Sequence, residues 1–249
     1  MSLCKDCISG VRHEGVPEGK IEKIRGVECY VATPAVDYAK DKVILFLPDA
    51  FGIPLVNNRL LADDFSRNGF KVVIPDIFAG DPVPDDAFNS GNFDLGGWFS
   101  RHSAESWQNV VDTVVAALKE QGVTRFGTTG YCFGAQPAFY LAFKNESHVT
   151  VVAHPTALKA PEDFEKYKAV SKAPLLINSC ETDPQFPKES QAIADEILGG
   201  GKFTPGYERK YWDGCTHGFA IRGDLSDPKV KAGKEEAFTA TVEAFQKYL

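Results

Sequence analysis

The chain has no apolar run long enough to cross a bilayer; stretches such as Val43–Leu47 fall far short of the ~20 residues a spanning helix needs. The opening MSLCKDCISG lacks an apolar core of signal-peptide length, so a cytoplasmic protein is expected. Cysteine is sparse, six in 249 residues, which excludes a disulfide scaffold and reads as reduced thiols. Basic charge is in deficit: 27 Lys and Arg stand against 34 Asp and Glu, a formal net charge of −7. That argues against nucleic acid or a membrane as partner, because anionic surfaces are bound through basic patches. Internal repeats, low-complexity tracts and a composition shift marking a second domain are missing too. The length suits one domain over 1–249, with 1–20 as an N-terminal extension. At 43% apolar residues, it can build a core without staples.

What is present is an alternation. Val43–Leu47, Lys71–Ile74, Arg125–Thr129, Val149–Ala153 and Pro174–Ser179 are short apolar runs, often β-branched and bounded by Pro, Gly, Asp or Asn. Such runs suit strands buried on both faces of a parallel sheet. Between or after them lie helix-length segments: Asn58–Asn68 before Gly69, Ala104–Gln121 before Gly122, Ala135–Lys144, Lys188–Leu198 and Lys229–Leu249. The pattern predicts an α/β fold with a mostly parallel, doubly wound central sheet flanked by helices. Ile21–Ile24 and Cys29–Thr33 should open it as a hairpin turning at Gly26. The irregular Phe78–Trp98 stretch has the length of a functional loop or lid.

The most informative residues are Gly130-Tyr131-Cys132-Phe133-Gly134, between a strand pattern and a helix pattern. This is the setting of a G-x-S-x-G nucleophile elbow, with Cys in the Ser position. The glycines relieve crowding around a sharply turned nucleophile. The turn aims the Phe133 N–H at a developing oxyanion and sets the sulfur at a helix N-terminus. Alone, the motif reads equally well as a tight turn around a buried structural cysteine. An α/β-hydrolase also needs an acid after a later strand and then a histidine near the end. Asp183 follows Pro174–Ser179, and His217 follows the strand-like Tyr207–Trp212. The expected triad is Cys132–His217–Asp183: His217 shuttles the proton while Asp183 orients it.

Together these residues resemble the dienelactone hydrolases (carboxymethylenebutenolidases), within the α/β-hydrolase superfamily. The resemblance runs from about Glu22 onward and rests on the 130–134 elbow, Glu181-x-Asp183 and His217-Gly-Phe. Asp49-Ala-Phe-Gly-Ile and Pro75-Asp76-Ile-Phe add to it. The Cys4–Pro17 region and the segment from His217 to Gly223 look most like the eukaryotic, largely fungal branch. The resemblance implies hydrolysis of a small ester or lactone through a thioester on Cys132, with no metal or organic cofactor. It implies that a carboxylate after the first central strand touches the resting thiol; the usual residue is Glu, and here it is the shorter Asp49. Ala50 N–H would be the second oxyanion donor beside Phe133. Bacterial members hold the substrate carboxylate with two arginines, one of them four residues after the catalytic His. That position here is Ile221, with Arg222 next to it, and Arg101 is the candidate for the other arginine. Phe51, Trp98, Tyr131 and Phe219 complete the expected substrate-binding set.

Other residues read more plainly. Cys4, Cys7, His13 and Cys29 lack the spacing of a zinc site, so no metal is expected. His102 is a candidate for the pocket mouth, and His148 and His154 read as sheet-end or loop residues. Cys215 is expected to be reduced and packed. The expectation is a monomeric or small homo-oligomeric enzyme acting on a small-molecule ester or lactone. Two alternatives stay open: a non-catalytic small-molecule-binding scaffold, and a thioesterase or carboxylesterase with no lactone preference. A papain-like peptidase fits poorly, because its residue order is Cys–His–Asn.

Overall fold

The computed structural model describes residues 11–84, 87 and 93–249. Cys4 and Cys7 lie outside the described residues, as do 85–86 and 88–92 of the long loop. The chain opens with a hairpin of β1 (Lys20–Ile24) and β2 (Val27–Ala32). Arg25 and Gly26 between them both have positive φ, 47° and 84°, as a type I′ turn demands. β3 (Lys42–Leu47), β4 (Lys71–Pro75), β5 (Arg125–Tyr131), β6 (Val149–Ala153), β7 (Leu175–Thr182) and β8 (Tyr207–Thr216) follow. The strand order is β1-β2-β4-β3-β5-β6-β7-β8. β2 is antiparallel to β4, and every pairing from β4 to β8 is parallel. The predicted mostly parallel sheet is what the chain forms.

Helices cover both faces. They are α1 (Val56–Arg67), α2 (Leu95–Arg101), α3 (Ala104–Glu120), α4 (Ala135–Phe143), α5 (Glu162–Val170), α6 (Lys188–Leu198), α7 (Phe219–Arg222) and α8 (Pro228–Tyr248). The pleat of β3 shows how the two cores divide. Val43, Leu45 and Leu47 join a cluster with Val111 of α3, Phe139 of α4, Phe164 of α5 and Ala194 of α6. Ile44 and Phe46 join another with Phe65 of α1 and Phe245 of α8. Alternate residues thus serve opposite layers, and a one-residue slip would exchange them. Gly69 and Gly122 end α1 and α3 with φ of 89° and 94°, as expected for the residue just past a helix.

The differences from the sequence expectation lie at the ends and in two helices. β5 continues through Gly130 and Tyr131, and β7 and β8 continue to Thr182 and Thr216, because each keeps its ladder with a neighbour. α5 was not visible in the pattern: it buries only Phe164 and Tyr167, too few for a clear helical period. α2 lies inside and just beyond the stretch expected as loop. Two glycines weaken its propensity, but Asp94 Oδ1 accepts from Gly97 N–H at 2.9 Å and Trp98 is buried.

The tightest backbone approach is at the elbow. A Cβ on Gly134 would overlap the carbonyl oxygen of Leu47, and one on Gly130 would overlap the carbonyl of Gly134. Gly134→Ala should therefore destabilise the fold by ~3 kcal/mol or more, read by urea denaturation, whereas Gly69→Ala, with open space at its Cβ, should cost only its φ strain.

Candidate active site

Parallel strands put all their carboxyl ends on one edge, where α/β proteins build their sites. Cys132 directly follows β5 and opens a single 3-10 turn, Cys132–Gly134, that leads into α4. Its φ is 50°, an uncommon state for a non-glycine residue and a local strain. The close approach at Gly134 also sets the Leu47–Pro48 backbone beside the elbow. That brings together the two segments carrying the Ala50 and Phe133 N–H groups.

Asp183 follows β7 and is 5% exposed. Burial of a carboxylate is costly unless its oxygens are satisfied. Oδ1 accepts the N–H groups of Gln185 (2.9 Å) and Phe186 (3.2 Å) and pairs with His217 Nδ1 at 2.8 Å. Oδ2 lies 3.8 Å from the Cys180 thiol, which burial pushes up in pKa and so keeps as a donor. His217 follows β8, and its own N–H donates to the Thr182 carbonyl at 3.1 Å. The β7–β8 ladder, which shifts register between Cys180 and Thr182, thus holds acid and histidine together. Burial pulls the His217 pKa down, but hydrogen bonds to Asp183 and Cys132 outweigh it, and the imidazole is pushed up to about 9.

Thr156 lies beside both sulfur and imidazole. Its Oγ1 is 3.3 Å from Cys132 Sγ and 3.5 Å from His217 Nε2, and its N–H donates to the Cys132 carbonyl at 3.0 Å. Sequence reasoning missed this residue, although its place just past β6, one strand from the elbow, was a usable signal. His154 in the same loop is fully buried, with its ring 5.1 Å from that of His217. Neither ring nitrogen has a hydrogen-bond partner among the described residues. Burial, then the charges of His217 and Arg222, drive its pKa well down, so it is neutral.

Asp49 is fully buried in the loop after β3. Its Oδ1 accepts from Asn58 Nδ2 (2.9 Å) and Phe51 N–H (3.3 Å), and its Oδ2 pairs with Arg222 Nε at 3.0 Å. Burial pushes its pKa up, against the pull of Arg222 and Asn58. These are the contacts its carboxylate makes among the described residues; the Cys132 sulfur is not one of them. Arg222 also lies over the Phe51 ring at 4.6 Å, a cation–π arrangement. The single turn of α7 buries Ile221 and carries Arg222 to Asp49. Asn57 and Lys234 hold that turn by donating to the Ile221 carbonyl at 2.8 and 3.4 Å.

The remaining candidates take separate places. Arg101 is exposed and pairs with Asp81 at 3.1 Å, and His102 Nε2 reaches the same carboxylate oxygen at 3.1 Å. Trp98 is fully buried and packs edge-on to Phe133 at 5.6 Å, backing the elbow. Tyr131 stacks on Phe46 in the other core layer, and Phe219 is buried there against His154. Cys29, Cys132, Cys180 and Cys215 are free. Among the described residues, no cluster of three or more His, Cys, Asp or Glu could hold a metal. No helix there is long and apolar enough to cross a membrane. A groove of about 460 Å³ lined by Val149, Leu175 and Tyr207 lies at the opposite, amino ends of the strands.

This architecture is the α/β-hydrolase fold. It matches the dienelactone hydrolase-like promiscuous phosphotriesterase P91 from metagenomic libraries with a TM-score of 0.64, at 17% identity over 93% of this chain and 97% of that one. The chain belongs to the dienelactone hydrolase family, which it matches over residues 27–249. Hydrolase pyvD of Aspergillus violaceofuscus is 35% identical over 98% of this chain and 96% of its own length. Dienlactone hydrolase 1 of Gibberella moniliformis is 32% identical over 97% and 91%. The protein is accordingly an ester or lactone hydrolase.

An imidazole held at about 9 is charged at neutral pH. The pairing contributes its full stability below about 6.5, the unperturbed value, and loses it as pH rises through about 9. NMR titration of His217 should give a midpoint near 9, and Asp183→Asn should bring it down towards 6.5.

Proposed function

We propose that this hydrolase works through Cys132 as nucleophile, His217 as proton shuttle and Asp183 as the group that orients and stabilises the imidazolium. The observation that carries the reading is the convergence of these side chains from the ends of β5, β7 and β8, with His217 linked to Asp183 at 2.8 Å. The Cys132 sulfur, its proton held on His217, attacks the substrate carbonyl. The Phe133 and Ala50 N–H groups hold the oxyanion, each worth ~3 kcal/mol of barrier. Collapse expels the alkoxide or enolate, which takes the proton from His217 and leaves a thioester on Cys132. His217 then draws a proton from water, which attacks the thioester and releases the acid and free Cys132. The chain supplies every group this scheme uses, and no cofactor enters it.

A carboxylate-bearing lactone is the substrate class we favour. Arg222 binds Asp49 through Nε only and keeps 31% of its side chain exposed, which leaves the outer face of its guanidinium for a ligand. Arg101 is the second candidate, because α2 packs against the elbow through Trp98 and Phe99. Phe51 supplies an apolar wall beneath Arg222. The charge of −7 supports a small-molecule partner rather than nucleic acid or an anionic membrane. The free thiols support a reducing compartment, the cytosol, and we take a monomer or small homo-oligomer as the working form.

Cys132→Ala should abolish turnover of both dienelactone and a neutral p-nitrophenyl ester while keeping the circular dichroism of the wild type. Retained activity would sink the mechanism and bring forward another nucleophile. Arg222→Lys keeps a cation beside Asp49 but loses the planar fork. It should raise KM for the lactone roughly tenfold and leave the neutral ester little changed; equal effects on both would remove the carboxylate clamp.

A further inference from the structure

We infer that the Thr156 hydroxyl is a hydrogen-bond donor to the Cys132 sulfur and holds it as the thiolate, a role that rests on the nucleophile assignment proposed above. Thr156 Oγ1 lies 3.3 Å from Cys132 Sγ and 3.5 Å from His217 Nε2. The residue is 5% exposed, so the hydroxyl proton must find its acceptor inside the protein. His217 cannot be that acceptor. Its imidazole, held at about 9, carries a proton on each ring nitrogen at neutral pH and donates from both. Nδ1 donates to Asp183 at 2.8 Å, and Nε2 to the sulfur. Among the described contacts of Oγ1, the sulfur is the acceptor that remains.

The backbone fixes the hydroxyl in this place. Thr156 N–H donates to the Cys132 carbonyl at 3.0 Å, so the residue is tied to the elbow by main chain and side chain alike. His154 and Ala157, on either side, have φ of 38° and 59°, left-handed states that persist in non-glycine residues where the surroundings enforce them. The sulfur thus has two donors from different parts of the sheet: His217 just past β8 and Thr156 in the loop after β6. Hydrogen bonds to an ionised acceptor are roughly twice as strong as neutral ones, so both donors favour the charged sulfur over the thiol.

This donor acts at both ends of the cycle. In the resting enzyme it keeps the attacking electron pair free of a proton. In deacylation the C–S bond breaks and its electron pair returns to Cys132. The returning charge meets Oγ1–H and the Nε2–H that His217 has taken from water, and threonine neither gains nor loses a proton. The other titratable and charged groups around the sulfur are Asp183 and the Cys180 thiol behind His217, neutral His154, and the Asp49–Arg222 pair brought by the loop after β3 and by α7. None of these bonds to Oγ1 among the described residues, so removing the hydroxyl leaves their own bonds in place.

The test compares Thr156→Val, which keeps the branched shape without the hydroxyl, with Thr156→Ser, which keeps the hydroxyl. The readout is the rate of iodoacetamide alkylation at Cys132, followed by peptide mass spectrometry from about pH 4 to about pH 9, with thermal unfolding as a check on the fold. Thr156→Val should move the acid limb of the profile up by about one pH unit, a tenfold slower reaction on the limb. Its alkaline plateau should not fall, because a less stabilised thiolate is no weaker a nucleophile. Thr156→Ser should recover most of the shift. A valine variant with the wild-type limb would overturn the assignment, and so would a lowered plateau over an unmoved limb, the mark of packing damage. A serine variant displaced as far as the valine would overturn it too, since shape and not the hydroxyl would then govern. Ester turnover that survives complete alkylation of Cys132 in the wild type would instead overturn the nucleophile assignment, whatever the threonine variants do.

Discussion

The carbonyl oxygen of Leu47 and the backbone of Gly134 lie so close that no Cβ fits between them. This contact locks the end of β3 to the turn that follows β5. Because β3 and β5 are parallel neighbours in the sheet, their carboxyl ends meet at one edge. The loop bearing Asp49 and Ala50 therefore starts beside the cysteine rather than elsewhere on the surface. The strained φ of Cys132 is tolerated because ladders on both sides of β5 over-determine the position. Every other part of the site is placed relative to that fixed sulfur.

Two buried carboxylates flank the site, and their surroundings give them different work. Asp183 faces a histidine whose charge it can stabilise, and two backbone N–H groups satisfy its other needs. Asp49 faces a guanidinium and an amide; it spends its charge holding Arg222 in place. Removing either partner would leave a charge buried without compensation, a cost of roughly 3–5 kcal/mol. Those costs bind α7 and the β8 loop to the elbow more firmly than their few residues would suggest.

The central strands and most long helices were legible in the sequence because burial on both faces leaves continuous apolar runs, and glycine marks helix ends. The candidates Cys132, Asp183 and His217 could be picked from the sequence because the fold calls for an elbow, an acid and a histidine in that order, and the structure sets His217 2.8 Å from Asp183. α5 was not, since Phe164 and Tyr167 alone carry its burial. Arg222 was expected to face substrate; its pairing with Asp49 depends on a turn of α7 and could not be read from spacing. Thr156 and His154 carry no motif, and they reach the site because they lie in the loop just past β6, the strand next to β5.

By itself the sequence determined the alternation of strands and helices, the glycines that the elbow cannot do without, and the residue types of the chemistry. These are local properties, written in periodicity and in the size of single side chains. The tertiary structure alone decided that a threonine from the loop after β6 lies beside both sulfur and imidazole, that Asp49 engages Arg222, and that Tyr131 faces the opposite core from Phe133. Each depends on which strand lies beside which and on the direction in which a side chain leaves its pleat. Residues separated by tens of positions meet only when the sheet is assembled.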